Sequence, residues 1–581
     1  MRQTIRSPFG TLRNFGTPRA PKRALAMAAC TLGLALGLVS AAGVAGAQAA
    51  DPPAPAASFQ TAALGQAMSL PRGFAQQLER AGFVQAVTEA TADDPVLAAF
   101  YRAREFVPLW TGPQDAGRRQ AYVSALSRAR DWGLPPARYD LPGLVAAFHA
   151  VQSERERGLL EVRVTRSFLT YAAHLHGGVL DPARIDGNIK RTRPRIDTEA
   201  VLARLEQEDP GAILRSLQPT SPEFSRLLRA RILLERQIAQ GGWGPQVEAE
   251  SLRPGDSGAE VVALRNRLIA KGYLERMATR RYDAAIQVAV QRFQRDHALE
   301  ADGIAGPATL RALNAGAEDR LRSVLVALER ERWMNIARGE RHIWVNLADF
   351  TSRIIDRGQI TFETISIVGQ RDARMQTPEF SERMTYMEIN PDWTVPRSIT
   401  GRNYLTGLQR NPNAFSQFQI ITSRGQVIDR ASVDFSAYSI NSFPFKLRQP
   451  PGPSNPLGKV KFMFPNPYAI YLHDTPDRNL FSTRLRAHSN GCIRLNDPEE
   501  FAHILLAPQT DDPEGLFSRI HRSGQQTRVN LDVPVPVHLV YRTAFSDLGG
   551  RMQYREDIYG RDARIFEALE RAGVEMPGLS S

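Results

Sequence analysis

At Arg332-Trp333 the apolar residues of this chain stop recurring at helical spacing and begin to alternate. Upstream, Val96, Leu97, Phe100 and Tyr101, then Tyr122, Leu126 and Ala129, and then residues 162–175 repeat as on helices with one buried face. Downstream, Ile343/Val345/Leu347 and Phe362/Ile365/Ile367 alternate as on half-buried strands. Neither pattern can serve as the other, so the chain must divide into a helical part and a mainly β part. With 581 residues it has length for several cores.

The first residues read as an address. Residues 1–23 carry Arg2, Arg6, Arg13, Arg19, Lys22 and Arg23 and no acid; an apolar run from Leu25 to Val44 follows. Two small-x-small sites, Ala45-Gly46-Ala47 and Ala47-Gln48-Ala49, then complete a secretory signal over residues 1–49, which predicts a periplasmic mature protein without Cys30. No later stretch is apolar and long enough to span a bilayer, so no stable membrane insertion is expected after cleavage. The net charge of +12 includes the six leader cations, which leaves +6 on the mature chain, scattered among acids. That spread gives no nucleic-acid footprint.

Residues 50–77, opening ADPPAPAA, read as a linker, and 78–245 as an all-α scaffold domain with turns such as Gly133-Leu134-Pro135-Pro136 between its helices. Residues 251–316 form a small three-helix module. Val261, Leu264 and Leu268 line one helix, Ile286, Val290 and Phe293 the next, and Pro307 opens the third where its missing N–H costs nothing. The mainly β domain covers 335–541, and residues 398–450 are too long for an ordinary loop, which predicts an inserted lid. Residues 542–581 read as a C-terminal tail with a short helix from Arg561 to Ala572.

Once the leader is gone Cys492 is the one cysteine left, and an exported chain pairs or avoids its cysteines. It sits in Ser489-Asn490-Gly491-Cys492-Ile493-Arg494, and His473 closes a predicted strand nineteen residues upstream. A thiol needs a base or a positive field to ionise, which His473 and Arg494 would supply. Gly491 lets the backbone come close to a substrate, and the N–H groups of Asn490, Gly491 and Cys492 could line an oxyanion. His488, four residues before the thiol, reads as a pocket residue and as an alternative base.

YLHDTP followed by SNGCIRLNDP resembles the active-site signature of the L,D-transpeptidases, cysteine enzymes that remodel bacterial peptidoglycan. The family usually has Ser-His-Gly-Cys where this chain has Asn490. LRPGDSGAEVVALRNRLIAKGYL, AVQRFQRDHAL and ADGIAGPATLRALN are similar to the peptidoglycan-binding module of wall enzymes. FYRAREFVPLW, HLHGGVLDP, LERERWM, NPDWTVPRSI, PPGPSNPLGKVKFMFPN and DIYGRD resemble the long, multidomain members. The resemblance implies that Cys492 attacks the L-centre carbonyl of the third stem residue, that D-Ala leaves, and that a neighbouring stem amine resolves the thioester, with His473 moving the protons. It implies substrate contacts by Ser489, His488, Tyr471, Trp393 and Arg494, acylation by carbapenems, and stem peptides and glycan as partners. Water, or an outer-membrane protein, as acceptor uses the same thioester, and other wall synthases are conceivable partners.

Two rival classes remain at this level. A zinc amidase would need ligands, and His174 and His176 are the one close pair; they diverge on a helix with no third ligand nearby, so neither metal nor organic cofactor is expected. A wall-binding protein with a decayed catalytic domain rests on Asn490 alone, against intact His473, Gly491, Cys492 and Arg494.

Overall fold

The computed structural model describes residues 72–576. The signal peptide, Cys30 and the start of the linker therefore lie outside the described residues. A helix already opens at Arg72, directly after a proline and inside the segment expected to be linker. No helix among the described residues is long and apolar enough to cross a membrane.

The scaffold is built around the helix Glu154–Gly177, whose start is fixed by a capping box between Ser153 and Glu156. Phe168, Tyr171 and Leu175 on this helix meet Trp110, Tyr122 and Leu205 in one core. Its Glu161 is fully buried and accepts from the backbone N–H groups of Leu109 (2.7 Å), Trp110 (3.1 Å) and Thr111 (3.0 Å). The carboxylate thus satisfies a turn that would otherwise leave its donors unpaired in the core.

The small module has the helices Ala259–Ala270, Ala284–Asp296 and Pro307–Asn314 and a core of its own around Leu264, Leu268, Ile286, Val290 and Phe293. Gln294 pins the turn before the third helix: its amide donates to Ile304 O (2.9 Å) and accepts from Gly303 N–H (2.9 Å).

In the β domain the spatial strand order is Ala487–Ser489, Gln359–Gly369, Ile493–Leu495, Leu472–His473, Val460–Met463, Phe380–Ile389, Thr527–Val540, Arg341–Asn346, Thr351–Asp356. Gln359–Gly369 also pairs with Thr351–Asp356, so the sheet closes on itself and leaves few free edges. The core inside it is Val345, Ile354, Met387, Phe462, Leu472, Ile493 and their neighbours.

The insertion is a second small sheet, Trp393–Thr394, Lys446–Gln449, Gln419–Ile421 and Val427–Ile428, whose Leu447 and Ile420 share a core with Leu408 and Phe435. It starts at Trp393, ahead of the predicted Ser398, because Trp393 pairs with Gln449 as its first rung.

The segment expected as a tail is instead central. Residues 544–546 and 552–554 form a hairpin, and Ile565, Phe566 and Leu569 of the helix Arg561–Arg571 join a core with Leu321, Val324 and Leu328 of the helix Ala317–Trp333. Its burial is hidden in sequence because the helix opens with two charges, Arg561 and Asp562, that are themselves buried.

Candidate active site

The strand ending in His473 runs parallel to the strand that follows Cys492, with Leu472 opposite Ile493 and His473 opposite Arg494. Side chains alternate along a strand, so Tyr471 and His473 fall on the face shared by Cys492 and Arg494. All four line one cleft of about 410 Å³. Register thus joins two segments that are nineteen residues apart in sequence.

The Cys492 thiol is half-buried and donates weakly to Ala469 O at 3.6 Å. Burial pushes its pKa up to about 11, against the opposing pull of the Tyr471 backbone N–H, the Tyr471 phenol and Arg494. His473 is 4% exposed, and its Nδ1 donates to the Asp474 carbonyl at 2.5 Å, which leaves the lone pair on Nε2. Burial first, and then the Arg494 charge, hold it down at about 3. At neutral pH the pair therefore rests as thiol and neutral imidazole. Arg494 is held by Asp477 (3.3 Å), and its charge faces both groups.

The turn before the thiol departs from what its sequence predicts. Ser489 is buried and bridges the turn internally, donating to Cys492 O (2.6 Å) and accepting from Gly491 N–H (3.1 Å). Gly491 N–H is therefore engaged and does not face an oxyanion; Cys492 N–H has no protein acceptor among the described residues. Gly491 has φ +120° and a Cβ there would sit 3.2 Å from Ile470, so glycine is required. Asn490 is exposed at the mouth of the cleft. His488 does not reach the cleft: its Nε2 pairs with Thr483 Oγ1 (3.1 Å), because residues 487 to 489 form a strand that alternates it away from Ser489. Trp393 lines the cleft with one edge and is otherwise packed in the core of the insertion, with Phe418 at 5.9 Å.

Several residues that share this cleft carry no signal in the sequence. Arg374 and Gln376 precede a strand, Arg402 comes from the insertion, and Asn188 and Lys190 come from the scaffold, just over three hundred residues before the thiol. Thr377 supports the nucleophile turn from below, donating to Gly491 O (2.7 Å). Elsewhere, His174 pairs with Tyr139 (3.0 Å) and His176 with Leu217 O (3.0 Å), so each histidine of the candidate metal pair has its own partner.

Three family models match the chain in order: a scaffold domain over residues 95–230, a "Putative peptidoglycan binding domain" over 257–313 and an L,D-transpeptidase catalytic domain over 340–530. A "Putative L,D-transpeptidase" of Haemophilus influenzae is 32% identical over 242 residues, which are 41% of this chain and 48% of the relative. The chain thus spans about half the length of the curated relative it matches. Among solved structures, an L,D-transpeptidase of Xylanimonas cellulosilytica aligns with 51% of this chain and 98% of its own, at 15% identity and a TM-score of 0.17. One from Stackebrandtia nassauensis aligns with 51% and 97%, at 13% identity and a TM-score of 0.20. Residues 340–530 match the L,D-transpeptidase catalytic-domain family, behind matches to a scaffold domain and to a "Putative peptidoglycan binding domain" in the same chain.

Proposed function

We propose that the chain is a periplasmic peptidoglycan L,D-transpeptidase that works through a Cys492 thioester and needs no metal or organic cofactor for that chemistry. The observation that carries the reading is the shared face of Tyr471, His473, Cys492 and Arg494 at adjacent strand ends in one cleft. His473 Nε2 takes the thiol proton as sulfur attacks the L-centre carbonyl of the third stem residue. The oxyanion meets Cys492 N–H and the Tyr471 donors. His473 then protonates the departing D-Ala amine and the thioester remains. The amine of a neighbouring stem attacks it, His473 accepts that proton, and the thiolate leaves and is reprotonated. A third-to-third cross-link is the product.

The test is incubation of the purified mature protein with a disaccharide-tetrapeptide. The expected products are D-Ala and a cross-linked dimer, resolved by mass spectrometry; a tripeptide alone would make water the acceptor. No release of D-Ala by folded protein would overturn the reading.

The resting protonation state gives a second expectation. With the thiol near 11 and His473 near 3, alkylation of Cys492 by iodoacetamide should climb about tenfold per pH unit from pH 7 to 10. Only the thiolate reacts, its fraction is small below its raised pKa, and His473 stays unprotonated throughout. A rate that levels off near pH 6–7 would show a resting thiolate–imidazolium pair instead.

A further inference from the structure

One wall of the cleft belongs to the scaffold. Ile189 is fully buried and its neighbours run along Glu379: Glu379 N–H donates to Asn188 O (2.8 Å), and Lys190 N–H to Glu379 O (2.8 Å). The Asn188 amide donates to Ala373 O (3.1 Å). The backbone around Lys190 is therefore fixed to the catalytic domain, while its exposed side chain lines the cleft with Nζ 5.5 Å from the centre of the Tyr468 ring.

The charged side chains that line this cleft are Lys190, Arg374, Arg402 and Arg494; no Asp or Glu is among them. Arg494 is paired with Asp477 (3.3 Å), and Arg374 with Asp372 (3.5 Å). Lys190 and Arg402 have no carboxylate within 4.0 Å among the described residues. A cleft lined by one sign of charge gathers the opposite ion, and two cations left unpaired beside a nucleophile point to a charged group on the substrate.

We propose that Lys190 from the scaffold and Arg402 from the insertion form a carboxylate-binding subsite that seats an anionic peptide against Cys492. The proposal rests on the transpeptidase reading and deepens it: the scaffold would complete the active site, and carboxylates of the peptide stem would be the groups held.

The experiment compares the wild type, Lys190→Ala and Lys190→Arg on two tetrapeptide donors, one with free side carboxylates and one with those carboxylates amidated. On the acidic donor Lys190→Ala should lower kcat/KM about five-fold, through KM, and Lys190→Arg should restore most of it. On the amidated donor both variants should match the wild type. Iodoacetamide, which carries no charge, should alkylate Cys492 at the wild-type rate in both. An equal effect on the two donors, or none on the acidic one while the wild type turns it over, overturns the subsite alone. Failure of the wild type on both donors overturns the transpeptidase reading as well.

Discussion

Cys492→Ala is expected to end covalent capture of a carbapenem. Intact mass of the wild type should rise by one acyl adduct, and that of the variant should not move. Cys492 is the one free thiol among the described residues. The nearest hydroxyl in the turn cannot replace it, since Ser489 Oγ is buried and spends its donor on Cys492 O (2.6 Å). Loss of the nucleophile should lower tetrapeptide turnover by at least about a thousand-fold, the scale on which such residues act as a unit with their base. His473→Ala should slow acylation by about a hundred-fold or more without abolishing it, because a base contributes rate whereas the sulfur forms the bond. A carbapenem adduct that persists in Cys492→Ala would place the nucleophile elsewhere. Folding is not at issue in the control: Cys492 is half-buried, and the hydrogen bond its thiol donates to Ala469 O is a weak one at 3.6 Å.

Periodicity carried most of the architecture. The change of rhythm at Arg332-Trp333 falls where the helix Ala317–Trp333 ends and the strand Arg341–Asn346 begins. The Cys492 and His473 segments stood out because each has chemistry its surroundings do not explain. Distance across the sheet was not legible. His488, four residues from the thiol, lies nearer in sequence than His473, yet parallel pairing puts His473 on the thiol's face and leaves His488 with Thr483. Lys190 gave no signal at all, because contacts far off in sequence, the bridge between Ile189 and Glu379 first among them, bring it to the cleft. Burial was least legible at Glu329-Arg330-Glu331-Arg332, where every position of a fully charged stretch is buried. Four charges in a row resemble surface only until each is matched with a partner on another element, and those partners lie far off in sequence.

Those partners set the largest expected effect on stability, that of Glu379→Ala. The Glu379 carboxylate is buried between two guanidinium groups, Arg330 at 2.6 Å and Arg561 at 3.0 Å. Arg330 comes from the helix Ala317–Trp333 and Arg561 from the C-terminal helix, so one carboxylate ties both to the catalytic domain. Arg561 also donates to Thr377 O (2.8 Å), and Thr377 donates to Gly491 O (2.7 Å), which carries the support to the nucleophile turn. Alanine removes only the carboxylate and leaves the backbone bonds to residues 188 and 190 in place. Arg330 keeps Asp562 (3.1 Å), whose own carboxyl is pushed up to about 6 by burial, and the guanidinium of Arg561 keeps a single carboxylate, the distant Asp186 (3.7 Å). Unmatched buried charge is costly whatever the pair itself contributed, so the variant should lose about 3–5 kcal/mol in urea unfolding followed by tryptophan fluorescence. Trp333 reports on this site directly, since Arg330 lies 5.8 Å from the centre of its ring. Glu379→Gln, which keeps an acceptor but not the charge, should fall between the two. Glu89→Ala breaks an exposed pair with Arg155 of similar length (2.7 Å) and should leave the midpoint where it is. If Glu379→Ala unfolds at the wild-type midpoint, the buried network is not what joins the C-terminal helix to the nucleophile turn.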